Sequence, residues 1–560
     1  MHVVDRLPKG SIAARATQSG SIFDSAAARW LIPAMATAAG CVAVYLLSGP
    51  PHVGDLAAQV ARADLFGKAG FTPWFAGWYG GLHLGGYSLV TPELMWWLRP
   101  TGVALACVVL TPAFGFLLMR AAGARRPRAG ATALTVFQLA DLLSGRVTFA
   151  AGTVVLLAAL ISVEKDRSIL AALLGLLVSV TSPIAGLIAI VLAVAYLIRS
   201  WPNTLRVRTE RAEGASPAVP HLKSSLMMAV GAGFGIVLLV RMFPDPGYEP
   251  ISFRLMWPAL LICLVVAVLP VGSLVRRAAV LSAVLVLGCF IVHSPIGTNA
   301  TRLPLLMAVP AVVASMRGRG IVVLCAAIGL SVWPAMQLHD DLAGASAPST
   351  HSPYYSSLIA ELADNPLVVD HRVEVVEPRN HWEVVYLAST VTLARGWERQ
   401  LDTKLNPALY SRDLTATQYR AFLDRNAVGL VAAPHHTRHD FGAVAEARLV
   451  RAGLPYLQAI WSDQDWTLYE VVDPSPIASG DGAIVTSLTS TGLRLNTTGA
   501  GTVTLRLRYS PYLAVTGGSV ARSSAGDAVL HLSRGGAHNL HAVWSFHGVV
   551  SALFSDRSPF

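Results

Sequence analysis

The chain has 560 residues, 53% of them hydrophobic and only 14% charged, with a mean hydropathy of +0.52. A soluble domain carries about 25% charged residues, so composition excludes an ordinary water-soluble protein over most of the length. The net charge of +10 does not imply nucleic-acid binding, because Lys and Arg sit mostly in short loops between apolar runs, where they orient helices in a bilayer.

Residues 1–28 are polar, and Arg6, Lys9, Arg15 and Arg29 precede the first apolar run. The stretch is too long and polar for a simple signal peptide, and it reads as a disordered cytoplasmic tail before a retained first helix. Apolar runs then predict helices over 30–48, 101–120, 130–144, 147–163, 168–181, 184–199, 225–243, 254–272, 278–293, 303–316 and 320–338. Several are shorter than the roughly 20 residues of an unaided crossing. With the N-terminus inside, every inner loop is basic: Arg120 to Arg128, then Lys165 and Arg167, Arg199 to Lys223, Arg276 and Arg277, and Arg317 and Arg319. The outer turns hold few cations, so an odd number of crossings, about eleven, is expected, with the C-terminal region outside. Thr209–Pro220 reads as a cytoplasmic linker.

The stretch from Gly49 to Pro100 is far longer than an ordinary connection, and such loops are usually functional. Leu56, Val60, Ala63 and Phe66 recur near helical spacing, which predicts an amphipathic helix lying on the membrane over Leu56–Gly67. Asp55 stands at its start, suited to cap it. Trp74, Trp78, Tyr79, Tyr87, Trp96 and Trp97 read as interfacial anchors, and Thr91–Leu98 as the start of a short interfacial or re-entrant helix.

After Leu342 charges are spread normally. Residues 351–473 read as α/β, with helices over Thr415–Asn426 and Ala443–Ala452 and strands over Val428–Ala433 and Trp466–Val472. In Thr502–Tyr509, Val503, Leu505, Leu507 and Tyr509 alternate with polar residues, the pattern of a half-buried strand. Ile484–Phe554 therefore reads as a small β-sandwich. The organisation expected is a tail over 1–28, a transmembrane domain over 29–340 with its long first loop over 49–100, an α/β domain over 341–475 and a β-sandwich over 476–560, both of the latter extracytoplasmic. The five cysteines all lie in apolar runs, without zinc or disulfide spacing.

One helix, a long outer loop opening with an Asp and rich in Trp, Tyr and Gly, many further helices and an outer tail: this order resembles the GT-C superfamily of membrane glycosyltransferases. More narrowly, GDLAAQVARADLF…WFAGWYGGLHLGGYSLVTPEL is similar to the first outer loop of bacterial proteins labelled "6-pyruvoyl-tetrahydropterin synthase-related, membrane domain". Gly54-Asp55, Arg62, Pro73-Trp74 and Gly86-Tyr87 carry the match, with Ser88 where a Pro is usual. The resemblance implies an inverting-type transferase on the outer face of a bacterial cytoplasmic membrane. Its partners would be a polyprenyl-phosphate-linked sugar donor, an envelope glycan or glycolipid acceptor and the lipid bilayer, with no nucleic acid. Ala-, Arg- and Gly-rich usage points to a high-GC bacterium such as an actinobacterium.

By the same resemblance Asp55 is the catalytic base, since an attacking hydroxyl must lose its proton. Arg302, which follows Gly297-Thr298-Asn299-Ala300 and directly precedes a helix, and Arg146, near Asp141, are the cations for the donor phosphate. His52, Trp78, Tyr79, His83, Tyr87 and Glu93 are candidates for an acceptor groove, with His381 and Glu383 of the tail covering it. No cofactor is assigned. The loop has no paired-acid motif of the oligosaccharyltransferase type, so a divalent metal is left open and its ligands are unknown. Two other readings are a flippase for a lipid-linked precursor and a non-catalytic glycan-binding scaffold. Lys and Arg are almost absent from mid-helix and no half-repeat is visible, which weighs against a transporter.

Overall fold

A computed structural model of the chain describes residues 25–209, 221–245 and 247–554. Of the expected N-terminal tail, residues 1–24 lie outside the described residues, as does the linker from 210 to 220. Every apolar run forms a helix. The helices are α1 (Ser25–Ser48), α2 (Gly54–Ala69), α3 (Thr91–Ala121), α4 (Pro127–Leu143), α5 (Val147–Glu164), α6 (Ser168–Thr181), α7 (Pro183–Thr209), α8 (Leu222–Met242), α9 (Phe253–Val268), α10 (Ser273–Ile291), α11 (Arg302–Ser315) and α12 (Gly320–Leu342). Five, namely α3, α5, α8, α10 and α12, are long and apolar enough to cross a bilayer, which fits a membrane protein. By length and composition five described helices are thus candidate spans, and the expected count of about eleven goes beyond them. The apolar stretches of α1, α6, α7 and α9 are shorter than the roughly 20 residues of a crossing.

Helix α3 breaks at Arg99, whose φ is +59°. Pro100 follows, and the residue before a proline is disfavoured in the helical region. Thr91–Leu98 is thereby set off from the long apolar helix, as the sequence suggests. Helices α6 and α8 pack through small residues. A Cβ on Gly231 would overlap the Ala172 carbonyl, and one on Gly235 would lie 2.7 Å from Ser179 Cβ. In lipid, helices gain little by burying apolar surface against one another, so such close backbone approach supplies the attraction.

The C-terminal region has three sheets. In the first, β1 (Arg372–Val375) lies parallel to β2 (Val428–Pro434), and β4 (Trp466–Val471) and β3 (Leu457–Ser462) extend it antiparallel, in the order β1-β2-β4-β3. Helix Ala416–Arg425 is capped by Thr415 and Gln418 in a reciprocal capping box. The remaining strands are β5 (Ala478–Ser479), β6 (Ile484–Thr489), β7 (Gly492–Thr497), β8 (Gly501–Arg508), β9 (Leu513–Val515), β10 (Gly518–Arg522), β11 (Asp527–Leu532) and β12 (Gly536–Ala542). They form two four-stranded sheets, β10-β11-β8-β5 and β6-β7-β12-β9, which share one core of Leu493, Leu495, Val503, Leu505, Leu530 and Leu540 among others. The expected sandwich ends at Ala542, because Phe546–Phe554 is helical.

The first loop departs most from expectation. Trp74 and Ala76 belong to the sandwich core, while Phe75, Trp78, Tyr79 and Leu82 belong to the core of the first sheet. Backbone bonds tie the loop to both units: Ala76 N–H to Ser490 O at 2.8 Å, Leu393 N–H to Gly77 O at 2.8 Å, and Arg508 N–H to Gly80 O at 2.8 Å. Trp74, Trp78 and Tyr79 are therefore core residues, not membrane anchors. Trp96 and Trp97 do stay exposed. Helix α2 is likewise not a surface helix. Its Ala57, Ala61 and Leu65, spaced four apart, face the C-terminal core, and its Leu56 and Ala63 face α1, α3, α4 and α5.

Asp245, after α8, fastens the sandwich to this assembly. It accepts from Arg508 Nη2 at 3.0 Å and from the His83 amide at 2.6 Å, and lies 3.2 Å from His83 Nδ1. Burial pushes its carboxyl up, but His83 and Arg508 outweigh that and hold it below 3.8. A depressed carboxyl stabilises the fold fully above its unfolded value and loses that stabilisation as pH falls through the folded one.

Two outcomes are expected. Gly231→Val should prevent α6 and α8 from closing and sharply reduce the yield of monodisperse protein by size-exclusion chromatography, whereas Gly233→Val, which meets nothing within 4 Å, should not. Asp245→Asn should loosen the sandwich by about 3 kcal/mol, seen as faster proteolysis within residues 476–542. The difference from wild type should shrink as pH falls through the depressed Asp245 pKa and the carboxyl protonates.

Candidate functional site

Val53, extended and without a side-chain cap bond, occupies the N-cap position of α2. Asp55 therefore lies in the first turn and does not cap the helix. Its carboxylate turns to two cations from distant parts of the chain: Oδ2 is 3.2 Å from Arg146 Nε and 3.4 Å from Arg302 Nη2. Asp55 is the base the resemblance implies and Arg146 and Arg302 are the cations expected at helix ends, and the fold brings the three into one cluster.

Arg146 stands on the turn between α4 and α5. That turn approaches α2 closely because Gly145 has a φ of +79° and no Cβ; one would press to 2.5 Å from Val53 Cγ2. Gln59, fully buried on the next turn of α2, locks the two together. Its amide donates to Gly145 O at 2.6 Å and its carbonyl accepts from Thr148 N–H at 2.8 Å. Arg146 also meets Asp141 at 3.4 Å and Asp341, near the end of α12, at 3.1 Å. Burial disfavours its charge, but Asp341, Asp141 and Asp55 outweigh this and raise the guanidinium pKa.

Arg302 opens α11 directly after a tight turn over Gly297–Thr301. Its guanidinium lies 5.1 Å from the centre of the Phe149 ring. Glu249 props the turn, accepting from the Thr298 hydroxyl, from Asn299 Nδ2 at 2.9 Å and from Gln400 Nε2 at 3.0 Å. Burial pushes the Glu249 carboxyl up.

The expected groove residues do not form one surface. His52 borders the site, with its ring 4.6 Å from those of His351 and Trp382. Tyr87 is half-buried and lies 4.4 Å under the Arg62 guanidinium. Trp78 and Tyr79 are buried, the Tyr79 hydroxyl donating to Gly396 O at 2.5 Å. His83 is buried between Asp245 and Ser510. Glu93 is exposed in the first turn of α3. His381 and Glu383 are each 1% exposed and belong to an ionic network inside the C-terminal region.

That network centres on Arg395, which bonds Glu374 at 2.7 Å and Glu446 at 2.6 Å and lies 3.0 Å from Glu377. Arg399 grips both oxygens of Asp440 at 2.6 Å. Burial pushes the Glu377 carboxyl up to about 8. Burial opposes a charge on His381, but Glu377, Asp440 and Glu383 prevail and raise it to about 10. The network reaches the cluster through Trp397, which stacks on His381 at 3.7 Å and donates its indole N–H to Gly54 O at 2.7 Å.

Asp341, Gln59 and the Arg62–Glu398 pair at 2.8 Å escape sequence reasoning. Asp340-Asp341 carried a usable signal, since acids at a helix C-terminus oppose its dipole and want another reason to be there. No protein-family model and no curated protein matches the chain.

Arg146→Ala would leave Asp55, Asp141 and Asp341 facing one another. Tm in detergent should fall by the equivalent of about 3 kcal/mol. Adding Asp341→Asn should recover part of the loss, and equal Tm values for the single and double variants would disprove the coupling.

Proposed function

We propose that the chain is a glycosyltransferase that takes a sugar from a polyprenyl-phosphate carrier and moves it to an acceptor hydroxyl of an envelope glycan or glycolipid. The observation that carries this reading is the meeting of Asp55 with Arg146 and Arg302, at 3.2 and 3.4 Å, from three separate segments. A carboxylate to take a proton beside guanidiniums to receive a phosphate is what such a transfer requires.

In this reading the donor phosphate docks on Arg302 and on the amides of the 297–301 turn at the start of α11. Both Asp55–Arg contacts are longer than the 2.7–2.9 Å of strong charged bonds, so a phosphate competes for the guanidiniums and releases Asp55. The acceptor oxygen, losing its proton to Asp55, attacks the anomeric carbon from the face opposite the phosphate. The bond from that carbon to the phosphate oxygen breaks, and the polyprenyl phosphate leaves with the bonding pair, its charge met by Arg302 and Arg146. Orientation with the C-terminal region outside, and the bacterial inner membrane as location, belong to the same proposal.

One observation favours transport of a lipid-linked precursor instead. Gln138 on α4 is fully buried and neither amide atom has a partner, and Asp141 Oδ2, one turn on, is also unpartnered. Unpaired polar groups inside an apolar bundle are expensive and often line a substrate path.

The experiment is transfer of label from radiolabelled polyprenyl-phosphate sugars to envelope acceptor by purified protein in lipid. Asp55→Asn should lower kcat by about 10²–10⁴-fold at unchanged Tm, and Arg302→Ala should chiefly raise the KM for donor. Equal rates for wild type and Asp55→Asn would remove Asp55 as base. No transfer by wild type with any donor, together with flipping of labelled lipid abolished by Gln138→Leu, would establish the transport reading.

A further inference from the structure

The C-terminal network gathers six buried acids around two arginines and one histidine. Glu374, Glu377, Glu383, Asp402, Asp440 and Glu446 are all buried, against Arg395 and Arg399. Arg395 is taken up by Glu374, Glu377 and Glu446, and Arg399 by Asp440. Asp402 is satisfied by the Tyr410 hydroxyl at 2.6 Å and Asn406 Nδ2 at 2.8 Å. The buried polar atoms that lack a hydrogen-bond partner cluster around His381.

His381 is 1% exposed, and neither ring nitrogen makes a hydrogen bond; both oxygens of Glu383 are also without one. Yet the ring nitrogens lie close to carboxylates, Nε2 at 3.4 Å from Asp440 Oδ1 and Nδ1 at 3.3 Å from Glu383 Oε1 and 3.9 Å from Glu377 Oε1. An imidazole gives one nitrogen to an ion, and near contact without hydrogen-bond alignment at that nitrogen is the relation between neighbouring ligands: two donors held at ~2.1 Å on a tetrahedral ion sit roughly 3.4 Å apart. Donor atoms of Glu377, His381 and Asp440 all fall within 4.8 Å of one another. His381 is held with φ at +56°, a conformation costly for a non-glycine residue and kept only where its surroundings enforce it.

We infer that Glu377, His381 and Asp440 bind a divalent transition-metal ion inside the C-terminal region, the imidazole through one nitrogen while its other nitrogen faces a neighbouring carboxylate. One imidazole with carboxylates suits zinc or manganese better than calcium or magnesium. Arg399 grips Asp440 from behind and Trp397 stacks on the imidazole, which fixes both ligands. Through the Trp397 bond to Gly54, the ion would brace the start of α2, whatever reaction the chain performs.

The test uses the full chain in lipid nanodiscs, purified without a histidine tag, incubated with zinc or manganese chloride, desalted and assayed by mass spectrometry for metal. About one equivalent per chain is expected in wild type, in Asp55→Asn and in His436→Ala, and a more than tenfold loss in His381→Gln and Glu377→Gln. Chelation should lower the wild-type Tm by several degrees and zinc should restore it. X-ray absorption of the zinc-loaded wild type, independent of any variant, should give nitrogen and oxygen ligands with a single imidazole. Metal held equally by wild type and His381→Gln, a Tm indifferent to chelator, or a spectrum with several imidazoles or sulfur would each overturn the site.

Discussion

Arg146 answers three carboxylates, Asp55, Asp141 and Asp341, with one guanidinium. These come from α2, α4 and α12, so a single side chain ties the first loop, the middle of the helical bundle and its last helix at one point. Asp141 is nearly buried, so losing Arg146 would strand its charge at large cost, whereas Asp55 and Asp341 stay partly open to water. The second cation, Arg302, meets the same Asp55 and makes the contact a five-membered charge cluster. The rest of the arrangement follows from holding this point in register: Gly145 lets the α4–α5 turn approach α2, and Gln59 locks the two.

The C-terminal region serves the same geometry from the other side. Trp397 reaches down to the Gly54 carbonyl, and the apolar stripe of Ala57, Ala61 and Leu65 seats α2 on the core that Leu358, Leu430 and Leu468 build. Helix α2 is therefore buried on two faces, with small alanines on one and Leu56 on the other. A helix lying on a bilayer would have needed only one such face. The site belongs to the junction between the bundle and the C-terminal region, and neither holds it alone.

Local pattern made most elements legible. Apolar runs marked most helices within a few residues, although α7 runs ten residues past its expected end at 199, and the alternation of Val503, Leu505 and Leu507 marked β8. Asp55, Arg146 and Arg302 were reached by resemblance and by position at helix ends, and their convergence could not be read from spacing. The aromatic loop was misread for a physical reason. Trp74 or Trp78 in a glycine-rich stretch between apolar helices satisfies the same local rules whether its ring meets lipid headgroups or a protein core. Only the partner decides, and for these rings it is supplied some hundreds of residues later. His381 and Glu383 were expected to face a groove for a similar reason, since a polar cluster beside a Trp looks alike exposed or buried.

The threading of the first loop through the C-terminal cores also sets a clock. Tyr79 and Gly396 are bonded across 317 residues, and a ribosome adds about 5–20 residues per second. For at least roughly 16–63 s of each synthesis, Trp74, Phe75 and Trp78 have been made but Gly396 and the strands after it that enclose them have not. During that interval the nascent chain carries an unsheltered aromatic segment beside apolar helices already assembling. Its biogenesis must either shield that segment or lose a share of chains to misassembly, and slower translation of residues 100–390 would lengthen the exposure in direct proportion.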